Sequence, residues 1–323
     1  MKEINVAIIG LGKMGLLHSC VLSTIPNVEV VAFCDKSRML RKIAKKLYKN
    51  PIIVDDIKKL SGLHLDCAYV TAPIPAHYPI VNELYSNNIA PHVFVEKTLA
   101  SNWQKSDQLC ALPKKSEVNM VGYMKRFSAT FGKAKSLLNE NSLGELVSFY
   151  GNAFSSDFVG LKSSKSNSRG GVLSDLGSHI IDIALWFFGD FKVETATIKS
   201  IMDSQSEDVV NFKVNKKGLT GEFDISWCME NYRMPNFAMT IQGTDGFLKV
   251  NDYTVDLSLK NGERFTWYRP ELNDNVQFLI GDAEYYREDE YFIKSIMNRS
   301  QAEPSFRTAS KVDYVIEQTR GLR

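Results

Sequence analysis

The residues of this chain best suited to chemistry gather in a few short stretches. Gly10-Leu11-Gly12-Lys13-Met14-Gly15 follows the apolar run "INVAII" and reads G-x-G-x-x-G, and Asp35 stands twenty positions beyond Gly15 at the close of "VEVVAFCD". Glu96 and Lys97 end another apolar run, "HVFVEK". Lys125 and Arg126 lie together in "YMKRF", Asp175 and His179 in "SDLGSHIID", and Tyr232 and Arg233 in "ENYRMPNF".

The glycine pattern gains meaning from what flanks it. A tight turn that serves packing alone is the plainer reading, but a buried strand before it, a helix after it and the acid beyond describe a dinucleotide loop. Gly10 permits the turn, Gly12 lets backbone approach a pyrophosphate, Gly15 lets helix and strand close up, and the helix N–H groups meet the negative charge. Asp35 is expected to accept hydrogen bonds from the adenosine ribose hydroxyls and to repel a 2′-phosphate, which favours NAD. Lys36, Ser37 and Arg38 follow at once and could clasp such a phosphate, so NADP stands as the alternative.

In an open parallel sheet ligands bind beyond the carboxyl ends of the strands, and "HVFVEK" delivers Glu96 and Lys97 there. The competing reading is a surface ion pair at a strand end. Oxidising an alcohol requires a base of near-neutral pKa at the hydroxyl, which histidine supplies without perturbation. Asp175 and His179 stand at i and i+4 and so share a helical face, with Asp182 three further on. Ile180, Ile183, Ala184 and Phe187 would fill the core side, leaving the polar stripe to face a cleft. Lys125 and Arg126 could bind hydroxyls, a carboxylate or a phosphate, or serve a domain-interface ion pair; the two readings weigh equally. Tyr232 and Arg233 are weaker candidates for a sugar ring or nucleotide.

The elements that must position these groups change character along the chain. Up to about residue 122, apolar strands ("INVAII", "VEVVAFCD", "LDCAYVTAP", "HVFVEK") alternate with helical stretches, one of them the basic "KSRMLRKIAKKLYK", whose Leu40, Ile43, Ala44 and Leu47 form an apolar face. That order predicts βαβ crossovers and a parallel sheet. Beyond it, "GELVSFYGNAF", "VETATIKSIM", "VVNFKV", "GEFDISWCM" and "LSLKNGERFTWY" read as strands in succession, the last with an Asn261-Gly262 hairpin turn. Helices are expected near 175–188, 285–298 and 306–319, and "KSSKSNS" (162–168) as a polar loop. The fold class expected is α/β: a Rossmann dinucleotide-binding domain over 1–122 and, over 123–323, an α+β domain with an open, mostly antiparallel sheet for substrate binding and oligomerisation.

Composition sets outer bounds. With 323 residues, 44% hydrophobic, 24% charged and a formal net charge of +2, the chain suits a soluble two-domain protein with no global attraction to nucleic acid or anionic membrane. Cys20, Cys34, Cys67, Cys110 and Cys228 form no C-x-x-C pair, which argues against a disulfide framework or a zinc site, and no metal is expected. The opening "MKEINVAIIG" lacks a basic-then-apolar leader, so the cytoplasm is the expected compartment.

In order along the chain, "GLGKMGLLH" with His18, Asp35, "TAPIPAH" with Pro73 and His77, the "EKT" step, "VGYMKRF" and "GGVLSDLGSHIID" resemble the glucose-fructose oxidoreductase/inositol dehydrogenase (Gfo/Idh/MocA) family. The resemblance implies an NAD(P)-dependent oxidoreductase passing hydride between nicotinamide and a hydroxyl or keto carbon of a sugar, cyclic polyol or nucleotide-linked sugar, in a homodimer or homotetramer. It implies Lys97, His179 and Asp175 as the catalytic set, with Lys97 between nicotinamide and substrate oxygen. The cofactor set becomes Gly10, Gly12, Lys13, Met14, Gly15, Asp35, Thr71, Pro73, His77, Glu96 and Lys97; the substrate set becomes Lys125, Arg126, Asp175, His179 and Tyr232. Thr98 stands where the family usually has proline, in a peptide that is often cis in related enzymes. Two other readings stay open: an NAD-dependent glycosidase using transient oxidation, and a non-catalytic sensor that keeps only the dinucleotide pocket.

Overall fold

The computed structural model describes residues 3–159, 169–202, 206–272 and 283–322, so the polar run at 162–168 lies outside the described residues. The chain divides into two compact units, Met1–Tyr123 with Phe278–Asp313, and Met124–Gln277 with Tyr314–Arg323.

The first unit is built on a six-stranded sheet of β1 (Ile4–Ile9), β2 (Val28–Cys34), β3 (Ile52–Val54), β4 (Cys67–Val70), β5 (His92–Glu96) and β6 (Asn119–Gly122). Its order is β3-β2-β1-β4-β5-β6 and every pairing is parallel. This is the doubly wound Rossmann order. The central strands are buried on both faces, with Val6, Ala7, Ile8, Ala68, Tyr69, Val93 and Phe94 inaccessible, and so they read as unbroken apolar runs. The helices are α1 (Lys13–Leu22), α2 (Arg38–Leu47), α3 (His77–Ser86) and α4 (Trp103–Cys110). Strands β3 and β6, of three and four residues, are too short to show a period and escape a reading by pattern.

The expectation for α2 needs correction. Of its expected apolar face only Ala44 is buried and Leu40 is half-buried, while Ile43 and Leu47 stay exposed. The helix lies against β2 and the short β3, which leaves little sheet for it to cover.

The second unit opens with α5 (Ala129–Asn139) and holds an eight-stranded sheet of β7 (Leu146–Phe154), β8 (Lys192–Lys199), β9 (Val209–Lys216), β10 (Leu219–Ser226), β11 (Asn236–Gly243), β12 (Gly246–Asn251), β13 (Thr254–Leu259) and β14 (Arg264–Tyr268). Strand order is β14-β13-β12-β11-β7-β10-β9-β8, antiparallel throughout except β10 on β7. Asn261 and Gly262 turn the last hairpin, with Gly262 at φ +96°. Burial alternates along β10 and β11, as it must where one face is covered. That cover is α5 over β12 and β13, and α6 (Ser178–Phe188) over β7, where Phe149 stacks on Phe188 at 4.4 Å.

Two C-terminal helices follow, α7 (Ala283–Asn298) and α8 (Phe306–Gly321). Residues 283–313, which the sequence reading assigned to the second domain, belong to the first unit. The reasons are specific: Val121 N donates to Pro304 O at 2.9 Å, Phe306 N donates to the Asn119 side chain at 2.7 Å, and Asp289 of α7 bonds to His18 of α1. Among the described residues no helix is long and apolar enough to cross a membrane.

Candidate functional site

In the first unit the chemistry-bearing residues collect at the carboxyl ends of the parallel strands. The turn out of β1 puts Gly10 at φ +103°, where a Cβ would stand 2.5 Å from Ala72 N. Gly15 is packed closer still, since a Cβ there would lie 1.9 Å from Gly10 O. Around Gly12 nothing lies within 4 Å of a would-be Cβ, so the loop is open where a pyrophosphate would approach. Lys13 and Met14 begin α1, whose N-terminal N–H groups suit an anion. The Thr71 hydroxyl donates to Gly10 O at 2.7 Å and pins the loop from β4.

Asp35 is held in place by backbone: its two carboxylate oxygens accept from Leu11 N at 2.7 Å and Ser37 N at 2.6 Å. Each oxygen keeps acceptor capacity for a further donor. Beside it opens a cleft of about 430 Å³ bounded by Ile9, Gly10, Asp35, Ala72 and Pro73 on one side and by Asp55, Asp56 and Lys58 on the other. Burial, then the carboxylates of Asp35, Asp56 and Asp55, push the Cys34 thiol up to about 12, so it stays protonated and inert. Arg41 spends its guanidinium on the carbonyls of Asp35 and Lys36, at 2.7 and 2.8 Å. These features fit a dinucleotide: an open glycine loop, an oriented carboxylate and an adjoining cleft.

His77 and Glu96, assigned to the cofactor, are placed otherwise. His77 is fully buried, with Nδ1 against Thr98 O at 2.8 Å and Nε2 against Ala72 O at 2.7 Å. Both ring nitrogens thus face backbone carbonyls of the turns after β4 and β5, and, since burial holds its pKa low, the neutral ring donates its single N–H to one of them. Glu96 accepts from His18 Nε2 at 3.0 Å and from Lys97 N at 3.1 Å. Lys97 is the first residue past β5 and half-buried, and the Lys97–Thr98 peptide is cis.

In the second unit the helical-face argument fails in part. Leu173–Gly177 form a π turn with i→i+5 winding, so four-residue spacing does not stack Asp175 under His179 as an α-helix would. Asp175 instead accepts from Arg169 at 3.1 Å, and the same guanidinium reaches Asp157 at 2.6 Å. His179 is buried at the start of α6, its ring edge-on to Phe237 at 5.3 Å.

The polar stripe of α6 does not stay open either. Asp182 is fully buried and accepts from Arg126 Nε at 2.7 Å and Nη2 at 2.6 Å. Lys125, also buried, donates to Asp252 at 2.7 Å. The substrate assignment of Lys125 and Arg126 is therefore corrected: both cations are committed to carboxylates inside their own unit. Tyr232 is half-buried, packs on Phe154 at 5.3 Å, and is tied by its N–H to the Ser156 hydroxyl.

The turn that carries Asp175 has a further support that sequence reasoning missed. Arg320 donates to Gly170 O at 2.6 Å, to the Ser174 hydroxyl at 3.1 Å and to Glu207 at 2.6 Å. Arg169 stands only six residues before Asp175, the one local signal for this pairing, whereas Asp252, Asp289 and Arg320 lie too far from their partners along the chain to leave one.

The matches to known families agree with this architecture. A family profile described as an oxidoreductase family with an NAD-binding Rossmann fold matches residues 4–123, and the GFO/IDH/MocA C-terminal domain matches residues 131–249. The chain belongs to the Gfo/Idh/MocA family. Its first unit is accordingly an NAD-binding Rossmann domain. Within the family it resembles D-apiose dehydrogenase of Paraburkholderia graminis, 24% identical over 274 residues, which cover 82% of this chain and 72% of that protein. An uncharacterized oxidoreductase of Bacillus subtilis is 25% identical over 197 residues, 58% of this chain; there the chain spans about half of the relative's length, 54%. Among solved structures, levoglucosan dehydrogenase in complex with NADH and L-sorbose superposes with a TM-score of 0.89 at 20% identity, covering 100% of this chain and 97% of that one, which is a likeness of fold.

Proposed function

We propose that this chain is an NAD-dependent dehydrogenase that moves hydride between nicotinamide and a hydroxyl-bearing carbon of a neutral sugar or cyclic polyol. The observation that carries the reading is the carboxyl edge of the parallel sheet, where an open Gly12, a backbone-oriented Asp35 and Lys97 stand on the turns after β1, β2 and β5. NAD supplies the hydride acceptor when bound. Gly10, Gly12 and Gly15 with the start of α1 would hold its pyrophosphate, and Asp35 its ribose. Around the cleft the carboxylates of Asp35, Asp55, Asp56 and Glu83 outnumber the ammonium groups of Lys36 and Lys58, which disfavours a 2′-phosphate and supports NAD over NADP.

The proposed work of the chain's own side chains is proton removal and charge stabilisation. The Lys97 ammonium stabilises the developing alkoxide, and the His179 imidazole takes the hydroxyl proton, with Asp175 holding the turn before it. A neutral substrate is supported because Lys125 and Arg126 are already spent on Asp252 and Asp182, leaving that segment without a fork for a phosphate or carboxylate. D-apiose and levoglucosan, the substrates in the relatives' names, are neutral and polyhydroxylated. Val147 and Tyr150, exposed on the central strand β7, suit the proposed homodimer or homotetramer, which light scattering would test.

The test is absorbance of reduced nicotinamide with NAD and a panel of levoglucosan, D-apiose, D-glucose and inositols. Net reduction with at least one, and weaker use of NADP, is expected. Silence across the panel with intact NADH binding would favour a dinucleotide-dependent sensor.

A further inference from the structure

A buried ionic relay in the first unit has no part in the reading above. His18, in the second turn of α1, is wholly buried. Its Nδ1 lies 2.9 Å from both carboxylate oxygens of Asp289, and its Nε2 lies 3.0 Å from Glu96 Oε1. The other Glu96 oxygen accepts from the backbone N–H of Lys97 at 3.1 Å. Tyr69 and Phe94 pack against the imidazole at 5.5 and 5.1 Å, and Tyr285 edge-on at 6.0 Å.

With a carboxylate at each ring nitrogen, only the doubly protonated imidazolium donates in both directions; either neutral tautomer would aim a lone pair at an anion. Burial pulls the His18 pKa down, but Asp289 and Glu96 outweigh it and the net direction is well upward. Three buried charges carry a heavy desolvation cost, and apolar residues of like volume often hold a core as well or better. An arrangement of this kind is therefore better explained by what it orients. Its three members come from the helix opened by the glycine loop, from the last residue of β5, and from α7, which returns to this unit from near the C-terminus.

We infer that Asp289, through His18 and Glu96, is a positioning residue for Lys97, fixing the backbone from which that ammonium is presented. This rests on the proposed role of Lys97. The relay also links the dinucleotide-binding helix to the Lys97 turn through one imidazole, so the two share a rigid frame.

The experiment uses the full chain and the variant Asp289→Asn, which keeps the shape of the side chain and removes its charge. Turnover, with the panel substrate that reduces NAD fastest, should fall at least tenfold while KM and NADH affinity stay within about threefold. Amide hydrogen exchange at Lys97 should quicken at least tenfold, and Asp289→Glu should restore part of both. His18→Asn keeps a donor facing Asp289 but removes the one facing Glu96, and should reproduce the defect even if Asp289→Asn does not fold.

Unchanged turnover and unchanged Lys97 exchange would overturn the inference. So would a loss of turnover matched by an equal loss of NADH affinity, which would assign the relay to the glycine loop. If Lys97→Ala itself keeps full turnover, the reading of Lys97 fails instead, and the exchange measurement alone decides whether Asp289 holds that backbone. A panel that yields no turnover leaves the same exchange measurement to decide.

Discussion

The carboxyl edge of the six-stranded sheet and the segment from Met124 into α6 both carry the charged side chains that oxidoreductase chemistry needs, yet they use them differently. At the sheet edge, backbone conformation does the placing: Gly10 turns the chain, Asp35 is oriented by two N–H groups, and Lys97 stands one residue past a buried strand. In the second region, Arg126 and Lys125 close on Asp182 and Asp252, and the pairs are buried. Where glycine geometry and strand ends set the position, residue type in sequence points to function. Where the partner lies 56 or 127 residues away, the same residue types mark internal pairing.

The largest effect that would sharpen this contrast is expected at Gly15. A Cβ there would collide with Gly10 O, so Gly15→Ala should abolish NADH binding and lower the folded yield, read by fluorescence titration and circular dichroism. Normal binding would refute the packing role given to that glycine.

Next comes the buried pair of the second unit. Arg126→Leu leaves Asp182 charged and enclosed, a loss of about 3–5 kcal/mol by urea unfolding, and replacing Asp182 by Leu as well should recover much of it. Lys97→Met should change stability by less than about 1 kcal/mol, as suits a half-buried group at a strand end. Equal losses at both sites would break the comparison.

Gly12→Ala should behave unlike Gly15→Ala. Nothing in the chain obstructs the new methyl, so folding should persist while NADH affinity falls about tenfold, the added Cβ standing where the pyrophosphate approaches.

The smallest effect is on pH. His18 faces Asp289 and Tyr285 of α7, Glu96 of β5 and Tyr69 of β4; burial lowers its pKa, the carboxylates raise it further, and the net shift is upward. Its stabilising contribution is thus complete below the unfolded value of about 6.5 and is lost as pH rises through the raised folded value. The melting temperature of the wild type should exceed that of Asp289→Asn by a few degrees near pH 6, with the gap narrowing in the alkaline range. A gap that widens with pH would reverse the assigned charge.

Much of the first unit was legible because buried parallel strands write themselves as apolar runs and glycine loops leave a spacing. The unread parts share a cause in distance or brevity. Strands β3 and β6 are too short for a period, α7 joins the first unit through Asp289, 271 residues from His18, and the π turn before α6 displaces Asp175 from the face its spacing suggested. His77 shows the limit most clearly: a motif histidine on the cofactor side of the sheet turns both nitrogens to backbone carbonyls. Sequence supplied its address and structure its occupation.

The central claim is that the first unit holds NAD and presents Lys97 to the reacting hydroxyl. Lys97→Ala, assayed for NADH affinity and for turnover on the best panel substrate, tests it most directly. Affinity within about threefold of wild type with turnover reduced at least about a hundredfold is the predicted result. Turnover near wild type would contradict it.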